Sequence, residues 1–149
     1  MKLLNAKQIC DQAAAQGFGV PALNNNGGSY DIGRAIIESC EELRSPLIIQ
    51  CYEPNLEYCG YDYAGLLINF LAKDTTIPMA IALDHGKTPE SVFRAVKAGF
   101  THVMIDYAHD TISKNIRGTQ QIILLAVQRP LNLLPRWCGS RLVLMLQSC

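Results

Sequence analysis

The chain has 149 residues, of which 49% are hydrophobic and 17% charged, and its 13 basic and 13 acidic side chains leave no net charge. This is the composition of one globular domain and not of a disordered segment. With no basic run and no interleaving of aromatic with basic residues, nothing favours nucleic acid or an anionic membrane as partner, whereas a small phosphorylated ligand needs only local charge and backbone amides. No stretch approaches the ~18–20 apolar residues of a membrane span. Met1–Lys7 lacks the apolar core of a signal peptide, so the expected location is the cytoplasm. The six cysteines, Cys10, Cys40, Cys51, Cys59, Cys138 and Cys149, form no Cys-x-x-Cys pair and read as reduced thiols, not as zinc ligands or disulfides.

In chain order, Asn5 is placed to cap a helix that Gly17 ends near Gln16. Phe18 to Leu23 then predicts a short buried strand. After a turn of Asn24-Asn25-Asn26-Gly27-Gly28, Ser29 caps a helix whose Ile32, Ala35, Ile36, Cys40 and Leu43 recur at the spacing of one apolar face. Pro46 to Cys51 predicts a second strand, followed by a longer loop and a helix from about Tyr63 to Ala72. Ile77 to Leu83 predicts a third strand. Thr88-Pro89-Glu90 supplies a capping hydroxyl, a first-turn proline and an acid at the positive end of the dipole, starting a helix that stops at Gly99. His102 to Asp106 predicts a fourth strand, and a helix follows from about Ser113 to Ala126.

Strands that are apolar along their whole length and alternate with helices belong to covered parallel sheets. Four such units fit an open doubly wound sheet or half of a (β/α)8 barrel, and periodicity alone does not separate the two. In both, chemistry sits at the C-terminal ends of the strands. That rule selects Asn24, Gln50 to Glu53, Asp84-His85 and Asp106. The Asp84-His85 pair carries most: two polar groups expected to point in different directions, a carboxylate able to move a proton and an imidazole able to bind a metal. The rhythm breaks after residue 127. Residues 128–149 contain no Asp, Glu or Lys, hold the only Trp, and read as an atypical tail, either an idiosyncratic extension or the product of a shifted reading frame.

Four stretches carry a resemblance. Gly17-Phe18-Gly19-Val20-Pro21-Ala22-Leu23-Asn24 and Glu41-Glu42-Leu43-Arg44-Ser45-Pro46-Leu47-Ile48-Ile49-Gln50 resemble the first strand and the second helix–strand unit of the class II, metal-dependent fructose- and tagatose-bisphosphate aldolases. Ile77-Pro78-Met79-Ala80-Ile81-Ala82-Leu83-Asp84-His85-Gly86 is similar to the metal-binding strand of that family. The fourth unit is matched by Ala95-Val96-Lys97-Ala98-Gly99-Phe100-Thr101-His102-Val103-Met104-Ile105-Asp106. The resemblance implies a TIM barrel, of which residues 1–127 are the N-terminal half, and a zinc-dependent aldol cleavage of a phosphorylated ketose. It implies Asp84 as general acid/base, His85 as one zinc ligand, and Asn24 and Gln50 as contacts to the dihydroxyacetone phosphate part of the substrate. Asp106 matches the acid near the metal region, a weaker candidate for a second metal position.

The chain departs from the family pattern at Ala82, usually His; at Tyr52, usually Ser; at Tyr107-Ala108, usually Gly-Ser; and at Ser113-Lys114, usually a Glu pair. His102 falls at a strand start, away from the metal, and His109 matches a position often His without being a ligand. A catalytic zinc takes about three protein ligands, and a whole barrel ~250 residues. The expectation is a truncated or frameshifted aldolase without activity as this chain, associating with further copies. The alternative is a non-catalytic half-barrel that self-associates or binds a sugar phosphate. A nucleotide-binding open sheet lacks its glycine-rich motif.

Overall fold

The computed structural model describes residues 3–128 and 143–145. Helix α1 (Ala6–Gln16) precedes β1 (Ala22–Asn24); after a single 3-10 turn come α2 (Tyr30–Glu42), β2 (Leu47–Tyr52), α3 (Glu53–Cys59), α4 (Tyr61–Leu71) and β3 (Met79–Gly86). Then follow α5 (Pro89–Lys97), β4 (His102–Ile105), α6 (Ile112–Gln128) and β5 (Val143–Met145). All neighbouring strands pair in parallel, and their spatial order is their chain order, β1-β2-β3-β4-β5. A doubly wound sheet reverses its order part-way to place helices on both faces. Here there is no reversal, and α2 to α6 all pack on one face. That is the winding of a (β/α)8 barrel, opened to an arc.

The helix-covered face holds the main core. Leu47, Ile49, Met79, Ile81, Leu83 and Val103 are at most 1% exposed and meet Ile37 of α2, Leu56 of α3, Ile68 of α4, Val92 of α5 and Ile122 of α6. Each such side chain contributes ~1.5–3 kcal/mol of burial. The alternate residues of the same strands point inward. There Ile48, Ala80 and Ala82 meet Ala6 and Ile9, so α1 closes the inward face. The Leu4 amide donates to the Met79 carbonyl at 2.8 Å, which places α1 at the N-terminal end of β3.

The caps expected from Asn5, Ser29 and Thr88 are all formed, the first and last as reciprocal capping boxes. Three elements differ from expectation. β1 is shorter than Phe18–Leu23, because the αL cap at Gly17 (φ 75°) ties the Phe18 amide to the Ala13 carbonyl and Pro21 has no amide to give the ladder. α2 buries Gly33, Ile37 and Cys40, while Ile32 and Leu43 are 41% and 78% exposed. A Cβ on Gly33 would lie 3.0 Å from Leu71 and 3.1 Å from the Asn25 amide, so this close approach turns the helix away from the expected stripe. The segment read as a loop after β2 is helical as α3: Tyr52 at its cap position makes no side-chain bond, and the start is marked only by the first-turn Glu53 and Pro54, without a capping side chain ahead of them.

In the tail, Val143–Met145 pairs with β4, which the composition of residues 128–149 does not announce. Gln128 ends α6, and the rest of that tail lies outside the described residues. No helix among the described residues is long and apolar enough to cross a membrane.

Candidate active site

Strand register brings the site together. Asn24 of β1 is level with Gln50 of β2, and Tyr52 of β2 with Asp84 of β3. These are inward-facing positions at the C-terminal ends of the strands. Asp84 is 8% exposed, and two amides donate to its carboxylate: Asn24 Nδ2 to Oδ2 at 3.0 Å and Gln50 Nε2 to Oδ1 at 3.4 Å. A buried charge needs such donors to replace water.

Simple alternation would turn His85 away from Asp84. The structure instead brings both to one cleft, because the β3–β4 register shifts between Leu83 and Gly86 and His85 takes a left-handed backbone with φ 53°. That conformation is uncommon for a residue with a side chain. Gly86 makes it feasible: a Cβ there would lie 2.7 Å from the Met104 carbonyl oxygen. The His85 Nε2 sits 3.9 Å from Asp84 Oδ1, and the side chain is 40% exposed.

Asp106, one residue past β4, stands behind His85. Its Oδ2 is 2.6 Å from His85 Nδ1, and its Oδ1 accepts the Ala108 amide at 2.9 Å. The bond to Asp106 raises the His85 pKa above its ordinary value, and the same bond lowers that of Asp106. With Nδ1 held by a carboxylate, Nε2 is the nitrogen turned to the cleft. This carboxylate–imidazole arrangement is the one that orients metal-binding histidines.

The cleft has a volume of about 860 Å³ and is lined by Asn24, Asp84, His85 and Asp106, joined by Tyr52, Lys87, His109 and Lys114 among others. Gln50 supports Asp84 from behind the cleft wall. Glu53 is among the strand-end residues the sequence selects, but with no role attached: only 7% exposed, it accepts the Lys87 amide at 2.9 Å and ties the segment after His85 to the start of α3. The only signal was its place directly after a strand. His102 is at the start of β4, 3% exposed, and burial pulls its pKa down. Among the described residues no three His, Cys, Asp or Glu side chains are grouped to hold a metal ion. One donor, His85 Nε2 with its carboxylate backing, suits a zinc ligand.

The sequence profile of the family described as Fructose-bisphosphate aldolase class-II matches residues 4–132. A fructose-bisphosphate aldolase of Thermus caldophilus is 36% identical over 121 residues, covering 81% of this chain and 39% of that protein. One of Helicobacter pylori is 38% identical over 125 residues, covering 83% and 40%. A 6-phospho-5-dehydro-2-deoxy-D-gluconate aldolase of Bacillus licheniformis is 32% identical over 129 residues, covering 85% and 44%. The chain thus spans about two fifths of the length of these relatives. Among solved structures, the YdjI aldolase of Escherichia coli K12 superposes with a TM-score of 0.76 at 20% identity, over 83% of this chain and 46% of that one. From the extent of the profile match and the identity to these relatives, the chain belongs to the class II fructose-bisphosphate aldolase family.

Proposed function

We propose that this chain carries the acid–base half of the active site of a class II ketose-bisphosphate aldolase. The reaction is the reversible cleavage of fructose- or tagatose-1,6-bisphosphate to dihydroxyacetone phosphate and glyceraldehyde 3-phosphate. The observation that supports this reading is the continuous contact Asn24–Asp84–His85–Asp106 at the strand ends. Zinc, when bound, supplies a Lewis acid for the ketose carbonyl. His85 Nε2 would be one of its ligands, with Asp106 holding the ring from the other side. Asp84 takes the proton from the substrate hydroxyl that becomes the aldehyde as the neighbouring carbon–carbon bond breaks, and returns it in the reverse direction. Asn24 has an amide within reach of both Asp84 and the cleft, and orients the carboxylate. Gln50 braces it from behind.

The same reading places the protein in the cytoplasm as a homo-oligomer, the latter checked by light scattering of the purified chain. It also holds that the 149-residue chain is inactive alone, because His85 supplies one of the roughly three ligands a catalytic zinc takes. The test is a coupled assay with Zn2+ and either bisphosphate. The 149-residue chain should give no turnover. A polypeptide extending the same barrel should cleave, and Asp84→Ala in it should lower the rate by ~10²–10⁴-fold. Zinc-dependent cleavage by the 149-residue chain overturns the first statement; an unimpaired Asp84→Ala enzyme overturns the second.

A further inference from the structure

His85 leaves the strand ladder at a left-handed residue, and its side chain is 40% exposed. One hydrogen bond, from Nδ1 to Asp106, fixes a single point of the imidazole ring and leaves its plane to be set by another contact. Tyr52 stands against the ring from the neighbouring strand. The two ring centroids are 5.9 Å apart and the planes are inclined at 89°, an edge-to-face arrangement. Tyr52 is level with Asp84 in the β2–β3 register, so it reaches the cleft from the same height as the carboxylate. Aromatic rings at this separation prefer the edge-to-face arrangement, beyond what the area they bury supplies, so the pair favours one ring orientation over others.

We infer that Tyr52 is a positioning residue for His85: its ring, together with the Asp106 carboxylate, holds the imidazole with Nε2 turned into the cleft beside Asp84. This rests on the reading of His85 as a ligand for zinc and extends it to a side chain on the neighbouring strand, whose ring supplies the contact. In this chain Asp106 fixes one ring nitrogen and Tyr52 fixes the plane of the ring. Tyr52 acts through His85 and takes no part in proton transfer.

The test uses the full 149-residue chain with histidine rings labelled for NMR at one fixed pH, since the protein has only three histidines to assign. In the unmodified chain the His85 and Tyr52 ring protons should show cross-relaxation, and the proton between His85 Nδ1 and Asp106 should exchange slowly with water. Tyr52→Phe should keep both signals. Tyr52→Ser should lose the first and speed the second by on the order of tenfold, the upper end of what one aromatic pair contributes, with the thermal midpoint nearly unchanged. If Tyr52→Ser unfolds the chain, Tyr52→Leu, which keeps bulk but no aromatic edge, is judged by the same criterion. Unchanged exchange in a folded Ser or Leu variant overturns the inference, as does a Phe variant that loses as much as the Ser variant. The readout needs no turnover, so its failure is distinct from failure of the aldolase reading.

Discussion

The two faces of the sheet are built from alternate residues of the same strands, yet they obey different rules. On β2 and β3 the helix-covered face carries Leu47, Ile49, Cys51, Met79, Ile81 and Leu83, all at most 1% exposed. The inward face of the same strands carries Ile48, Gln50 and Tyr52, and Ala80, Ala82 and Asp84. It changes character along its length, from a small apolar cluster under α1 to amides, a carboxylate and an aromatic ring at the strand ends. One face is a packing surface, where volume decides. The other is graded, and its polar end is held by hydrogen bonds. Stability is therefore expected to reside in the first and chemistry in the second.

The largest effect should come from the packing face. Ile81→Ala should lower stability by ~2–5 kcal/mol through lost burial and the cavity left behind, read as a fall in the urea midpoint. The second break concerns Tyr107 and the helix it packs on. A Cβ on Gly118 in α6 would lie 2.3 Å from the Tyr107 ring, so this helical glycine is the space that the ring occupies. Gly118→Ala should destabilise by ~1–3 kcal/mol through overpacking, although alanine would ordinarily favour a helix by ~1 kcal/mol. With the ring removed, in a Tyr107→Gly background, the same Gly118→Ala change should cost little or nothing.

On the graded face the cost should be smaller and of another kind. Asn24→Ala removes a donor to Asp84 and should cost ~1 kcal/mol in the urea midpoint, while lowering activity in a polypeptide that has it. A stability loss as large as that of Ile81→Ala would erase the distinction between the faces. The smallest effect belongs to neither face. The exposed Glu41 carboxylate accepts from the Thr76 hydroxyl and from the Thr76 and Ile77 amides, and the hydroxyl bond above all lowers its pKa. A lowered folded pKa means that the stabilisation is present above the unfolded value and is lost as pH falls through the folded one. Glu41→Gln should therefore weaken the chain slightly at neutral pH and match the unmodified chain well below the ordinary glutamate pKa of ~4.3; equal differences at both pH values would refute this.

Much of the arc was legible because its strands are apolar throughout, the mark of a sheet covered on both sides. The same continuity hides which residues face inward, so period-2 reasoning could not assign Gln50 and Tyr52 to the face of Asp84. Asp84 and His85 stood out as polar residues ending an apolar run. Their shared orientation did not, because it depends on the register shift at Leu83–Gly86 and on one backbone torsion. The burial of Glu53 was invisible for a similar reason: an acid after a strand reads as solvated until the Lys87 amide is found beside it. The α2 face was misplaced because apolar spacing counted Ile32 and Leu43, while the decisive residue was Gly33, which has no side chain to count. The match of Gly118 to Tyr107 joins a loop to a helix and has no signature in either segment.

The left-handed turn at His85 has a consequence for how the site responds to disturbance. Because the proton-moving carboxylate and the metal-facing imidazole belong to adjacent residues, their relative placement is set by the torsions of one short piece of backbone. A shift of β3 against β2 or β4 carries both groups together and alters their distance to Asn24, Asp106 and Tyr52 before it alters their distance to each other. The backbone of the pair is thus one part fitted into the barrel wall, while Asp106 and Tyr52, on the neighbouring segments, set how the imidazole is turned on it.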